Sequence, residues 1–341
     1  MMPDDIWVVG QYIRPINNRG PMKIYDAYRL AIEAGMEKDP RPKDEVQKVL
    51  DDAKEAYEKL DDDRKDLYDM ERLWNPYADS RFSYCPEEAM EQEAECFMWG
   101  VDIGTGEVML ADRLREKGRN ISALVAHHPI GTARTCFPEV MWMQTDMYNQ
   151  AGVPINVSEA LMKGRMDDVL RGVMGSNYNQ AVDAARLLGI PLFNIHSPAD
   201  NMVQRYMTDM FEESQPRTLG DIVDRLYKEP EFRDAARFNS PPKIIVGSKS
   251  SRCGKVVCKM TGGTSGPKEI YEKFAIAGVG TVVGMHFPES HIEEARKNNI
   301  NIVISGHMSS DSLGINLICD VWEREGIDVI PCSGFTRHSR N

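Results

Sequence analysis

From about residue 95 onward, short apolar runs alternate with helix-like stretches, and no other feature of the chain limits its fold as strongly. The runs are Cys96–Ile103, Ile121–Ala126, Pro154–Val157, Pro191–Ile195, Lys243–Val246, Val256–Met260, Thr281–Gly284 and Ile300–Ser305. Between them lie Val108–Lys117, Tyr178–Leu188, Pro267–Ala277 and Glu289–Asn298, which carry helical patterning. Strands separated by helices form βαβ units and pair mainly in parallel. The expected fold is therefore α/β and two-lobed, with mainly parallel sheets. The first lobe is read over residues 95–240 and the second over 241–341, with Ser240-Pro241-Pro242 as the joint. Residues 1–94 are helical and charged instead. Tyr25, Tyr28 and Ile32 share one face, and Val46, Val49, Leu50, Ala53, Tyr57 and Leu60 trace a stripe after the Pro40-Arg41-Pro42 break. This region is expected to form an αα-hairpin ahead of the lobes, its charged faces either solvated or docked on a neighbouring subunit.

Composition removes several function classes. The net charge of −12 argues against nucleic acid, whose binding depends on neutralising phosphates with Lys and Arg. No stretch is long and apolar enough to span a bilayer. The opening Met-Met-Pro-Asp-Asp lacks the basic-then-apolar order of a signal peptide. Seven scattered cysteines show no framework spacing, so free thiols in a reducing cytoplasm are expected. Cys253 and Cys258 flank a strand-like segment five residues apart, which puts them on opposite faces as packing residues.

The chemistry lies where the strands end. In open α/β sheets, ligands bind outside the carboxyl ends of the strands. Five of the seven histidines fall there: His127 and His128 after ISALVA, His196 after PLFNI, His286 after TVVGM, and His307 after INIVISG. Asp200 follows His196 by four residues, and Asp311 follows His307 by four. Imidazoles and carboxylates in one crevice are a ligand set for Zn, Mn, Fe, Co or Ni, whereas Ca and Mg prefer oxygen alone.

Each residue also has a plainer reading. Ser197 suits an N-cap with Pro198 at the first helical position, which would make Asp200 a capping-box acid. Asp311 suits the dipole of a helix starting near Ser310. His196 reads equally well as a core histidine bonded to backbone, and His286 and His291 read as structural or surface residues. The turn Thr261-Gly262-Gly263-Thr264-Ser265-Gly266 matches no phosphate-loop signature; it is either a flexible turn or an anion cradle. No GxSxG elbow points to a serine hydrolase.

Three blocks in order, AHHP (126–129), HSPAD (196–200) and SGHMSSD (305–311), resemble the signatures of the NGG-interacting-factor-like proteins, whose bacterial members are often labelled GTP cyclohydrolase I type two homologues. GVDIGTGEV and KMTGGTSG are also similar to that family, and the match covers roughly residues 95 to 335. The resemblance implies a dinuclear metal centre between two α/β lobes, assembly as a homo-oligomer of hexameric rings, and two divalent transition-metal ions. It implies ligands His127, His128, Asp200, His307 and Asp311, with Asp311 bridging the metals. The family usually has Glu at that last place, so the bridging acid is one methylene shorter here. The region before residue 90 has no counterpart in the family pattern, nor does Gly284-Met285-His286-Phe287 match the family's stretch there.

Two function classes follow. One is a metal-dependent hydrolase of an unknown small-molecule substrate, phosphorylated or nucleotide-like, with His196 as proton shuttle and Gly262, Gly263 and Gly266 holding an anionic group. The other is a non-catalytic metal-binding, delivery or assembly protein.

Overall fold

The computed structural model describes residues 21–341, so the opening Met-Met-Pro-Asp-Asp lies outside the described residues. The strands are β1 (Phe82–Tyr84), β2 (Cys96–Gly100), β3 (Ala123–Ala126), β4 (Leu192–Asn194), β5 (Lys243–Val246), β6 (Lys255–Lys259), β7 (Val279–Gly284), β8 (Asn301–Ile304) and β9 (Asp328–Cys332). They form two sheets, ordered β1-β4-β3-β2-β9 and β5-β8-β7-β6. Each sheet is parallel except at one edge, where β1 runs against β4 and β5 against β8. The fold is thus mixed α/β with two mainly parallel sheets, as the alternating pattern requires.

Both sheets are buried on both faces, and side-chain alternation assigns each residue to one of them. In the first sheet, Phe97, Trp99, Val125 and Phe193 point into one core, while Met98, Leu124 and Leu192 point into another. The first core also takes in the N-terminal region. Tyr28, on the helix Ile24–Glu37, packs against Phe82 and Phe193, and Trp322 donates its indole N–H to Ala27 O at 2.8 Å. Side chains of this size each contribute about 1.5–3 kcal/mol when fully buried. The stripe from Val46 to Leu60, on the helix Lys43–Glu58, is covered only in part: Val46 is buried and the rest are half-buried.

Three local expectations need correction. Pro154–Val157 is not a strand; it opens the 20-residue helix Ile155–Met174. Val157, Leu161, Met162, Met166 and Val169 recur at helical spacing and pack into one core, so this long period overrides the short apolar run. β1 and β9 were not expected, the first because it is only three residues long, the second because Pro331 interrupts it. Proline is tolerated there because β9 is an edge strand. Cys253 and Cys258 are packing residues, as expected, but they enter the same core. Gly254 (φ +60°) and a register shift at Lys255/Val256 break the alternation between them. All seven cysteines are free, and among the described residues no helix is long and apolar enough to cross a membrane.

Two helices position the site. Ser197–Ser214 follows β4, and His307–Arg324 follows β8, so they bring the ends of both sheets together. They touch where Gly314 meets Ala199: a Cβ on Gly314 would lie 2.3 Å from Ala199 O. Only glycine permits that approach. It sets Asp200, next to Ala199, opposite Asp311, one turn before Gly314.

Candidate metal centre

His127 and His128 sit just past the end of β3, where the backbone stops alternating. His127 N–H bonds Gly100 O and His128 N–H bonds Val101 O. His307 opens its helix behind Gly306, whose φ of +109° is a conformation glycine adopts without strain. His128, His196, His307, Asp200 and Asp311 line one cleft, and His127 lies buried just behind it against Asp200 and Asp311.

The three histidines from the first sheet follow one rule. Each ties its Nδ1 to a protein oxygen: His127 to Ile195 O at 3.1 Å, His128 to Asp102 Oδ1 at 2.7 Å, and His196 to Asp79 Oδ2 at 2.6 Å. A carbonyl only accepts, so His127 Nδ1 carries the proton and its Nε2 presents a lone pair. Histidines that bind metal are typically oriented by such partners.

The Nε2 atoms face carboxylates at distances too long for hydrogen bonds. His127 Nε2 lies 3.5 Å from Asp200 Oδ1 and 3.6 Å from Asp311 Oδ1. Asp311 Oδ2 lies 3.7 Å from His128 Nε2 and 3.5 Å from His307 Nε2. His196 Nε2 is 3.7 Å from Asp200 Oδ2. His127 Nε2, Asp200 Oδ1 and both Asp311 oxygens are buried without a hydrogen-bond partner. A cluster of acceptors facing acceptors costs several kcal/mol unless a cation stands among them. Two ligand atoms about 2.1 Å from one tetrahedral ion stand about 3.4 Å apart, close to the spacing seen here. The residues fit a metal. His127, His128 and Asp311 form one group that could hold an ion, and His127, His196 and Asp200 form a second.

The electrostatics agree. Burial, then the neighbouring Asp311 and Asp79 carboxylates, push Asp200 well above the usual carboxylate range. Burial pulls Asp311 upward too, but the imidazoles of His127, His307 and His128 prevail and hold it low. Burial pushes His307 down to about 4, leaving a neutral ring with a free lone pair. Asp79 is fully buried, yet His196 and Ser197 hold it low, so it is a fixed anion behind His196.

The capping reading of Asp200 does not hold. His196 occupies the cap position, and the Ser197 hydroxyl donates to Asp79 Oδ2 at 2.7 Å. Asp311 likewise lies beyond the first turn of its helix, which starts at His307 rather than near Ser310. His286 and His291 line the cleft, and the His286 ring is 4.8 Å from that of His307. Gly263 lines the cleft with Thr264 and Ser265, whereas Gly262 and Gly266 pack behind it against Gln144 and Tyr148.

The fold is similar to that of a NIF3 superfamily protein from Sphaerobacter thermophilus, known from a crystal structure. It matches with a TM-score of 0.66 and 28% identity, over 85% of this chain and 98% of that one. The chain is NIF3-like. Reduced HcgD from Methanocaldococcus jannaschii matches with a TM-score of 0.48 and 11% identity, over 73% of this chain and 87% of that chain. A Bacillus cereus protein related to NIF3 matches with a TM-score of 0.42 and 9% identity, over 74% and 91%. No family model and no curated protein matches the chain. The NIF3-like fold and the His/Asp groups together support a metal-binding protein.

Sequence reasoning missed Asp79 and Asp102, the two carboxylates that orient His196 and His128 in this NIF3-like chain. Asp102 lies in the GVDIG turn directly after β2, a strand end like the others, so the same rule would have found it. Asp79 comes from a loop before the α/β pattern begins, and nothing local marks it.

Proposed function

We propose that the chain is a dinuclear metal-dependent hydrolase acting on a small molecule. The observation that carries this reading is the set of buried, unpartnered acceptors at the floor of a cavity of about 440 Å³, a size suited to a metabolite. His127, Asp200 and one oxygen of Asp311 would hold one ion; His128, His307 and the other oxygen of Asp311 would hold the second. Such a pair supplies Lewis-acid polarisation of a carbonyl or phosphoryl oxygen and activation of water. Asp102 and Asp79 orient His128 and His196, and Ile195 O fixes the tautomer of His127. His196 is the proton shuttle: Asp79 holds its Nδ1, and its Nε2 faces the floor of the cleft.

The test is turnover of phosphoesters, nucleotides and cyclic amides by protein loaded with Mn, Zn or Fe. His196→Ala should keep its metal and lose turnover at least about 100-fold, the scale of one positioned proton carrier. Loss of metal instead would make His196 a ligand. Silence across the panel with metal bound would favour a storage or delivery role. A cytoplasmic setting and a hexameric homo-oligomer complete the reading, supported by the free thiols and the family resemblance; light scattering tests the latter.

A further inference from the structure

The far end of the same cavity has the opposite chemistry. Lys259 closes β6, pairs in register with Gly284, and Gly284 pairs with Ile304. Lys259, His286 and His307 therefore lie along one carboxyl edge, and two strand spacings separate the first from the last by about 10 Å. Lys259 Nζ donates to Tyr148 OH at 3.3 Å and stands 5.4 Å from that ring's centroid. Among the described residues no carboxylate forms an ion pair with it. Burial lowers its pKa to about 8.

His291 marks the same end. It lines the cavity, is only 6% exposed, and its Nδ1 has no hydrogen-bond partner. Burial, with the cations of Lys259, Arg165 and Lys268 next in effect, pushes it down to about 4. Among the described residues, none of Lys259, Arg165 and Lys268 forms an ion pair with a carboxylate.

The glycine turn supplies direction. Its glycines are explained by packing: a Cβ on Gly266 would lie 2.2 Å from Tyr148 OH, and one on Gly262 would lie 2.5 Å from Gln144 Cγ. Composition alone therefore says nothing about a ligand. Peptide orientation does. Gln144 Nε2 donates to Gly262 O at 2.6 Å and to Thr264 O at 2.7 Å. The peptides are trans, so the N–H groups of Gly263 and Ser265 point the opposite way from those carbonyls. Both residues line the cavity, and among the described residues no protein acceptor takes either N–H.

We propose that this end of the cavity binds the phosphoryl group of a small phosphorylated substrate, with Lys259 as its cation and the N–H groups of Gly263 and Ser265 as its directional donors. The reading rests on the metal centre only for what happens at the substrate's other end, about 10 Å away. A phosphoryl group suits the site better than a carboxylate. Its three terminal oxygens can meet donors arriving from β6 and from the turn together, and its double charge answers the clustered cations.

The probe is inorganic phosphate, titrated calorimetrically into the full chain and into a His127→Ala/His307→Ala variant, where phosphate cannot lodge on the metals. Phosphate should bind both proteins. Lys259→Met, introduced into each, should weaken binding about 10-fold or more, and Lys259→Arg should restore most of it. Metal content, read separately, should not change with Lys259. Equal phosphate affinity in Lys259→Met overturns the proposal, as does acetate binding as tightly as phosphate. A chain that binds phosphate through Lys259 yet holds no metal would sink the metal reading and leave this one standing.

Discussion

Asp311 has two oxygens, both buried, and no hydrogen-bond donor for either. One faces His127; the other faces His128 and His307. If Asp311 is shared by two ions, the variants should differ in stoichiometry. His307→Ala should lose about one metal of two, and Asp311→Asn should lose both. Plasma mass spectrometry of purified proteins checks this; equal losses would place the acid in one site only. The orienting carboxylates should act more gently. Asp79→Asn leaves His196 in place but removes its anion, and turnover should fall about 10- to 100-fold with metal retained. Much of this was legible in the sequence, because the ligand candidates follow apolar runs that read as strands. What stayed illegible was position in three dimensions. Nothing in Tyr77-Ala78-Asp79-Ser80 announces that Asp79 will lie beneath His196, 117 residues later.

At the scale of elements, the site depends on two helices crossing, with Gly314 of one against Ala199 of the other. Gly314 is packed directly against Ala199, and any side chain there must displace it. Gly314→Val should cost about 3 kcal/mol or more through overpacking, and it should also lower metal affinity by separating Asp200 from Asp311. Thermal unfolding with and without excess metal separates the two effects. A variant that melts early but binds metal normally would show that the helix crossing supports stability alone. Element boundaries were the least legible part. Pro154 looked like the start of a strand because four residues carry no helical period, whereas the twenty that follow from Ile155 do. β9 was hidden by Pro331, which only an edge position excuses.

For the whole molecule, the centre joins the two sheets. His127, His128 and Asp200 come from the first, and His307 and Asp311 come from the second. Metal that binds the folded chain more tightly than the unfolded one must stabilise it, by about 2.7 kcal/mol at a hundredfold excess over Kd. Chelation should therefore lower Tm by several degrees, and remetallation should restore it. The mixed α/β plan with two mainly parallel sheets was legible from the alternation of runs and helices, although β9, read as part of the second lobe, pairs with β2 in the first sheet. The contribution of the N-terminal region to the first core was not, since Trp322 reaches Ala27 across nearly the whole chain.

The most direct measurement is metal content in wild type against Asp311→Asn, with circular dichroism confirming that both are folded. The account predicts about two transition-metal ions per chain in the wild type and almost none in the variant. Undiminished metal in a folded Asp311→Asn protein would contradict it.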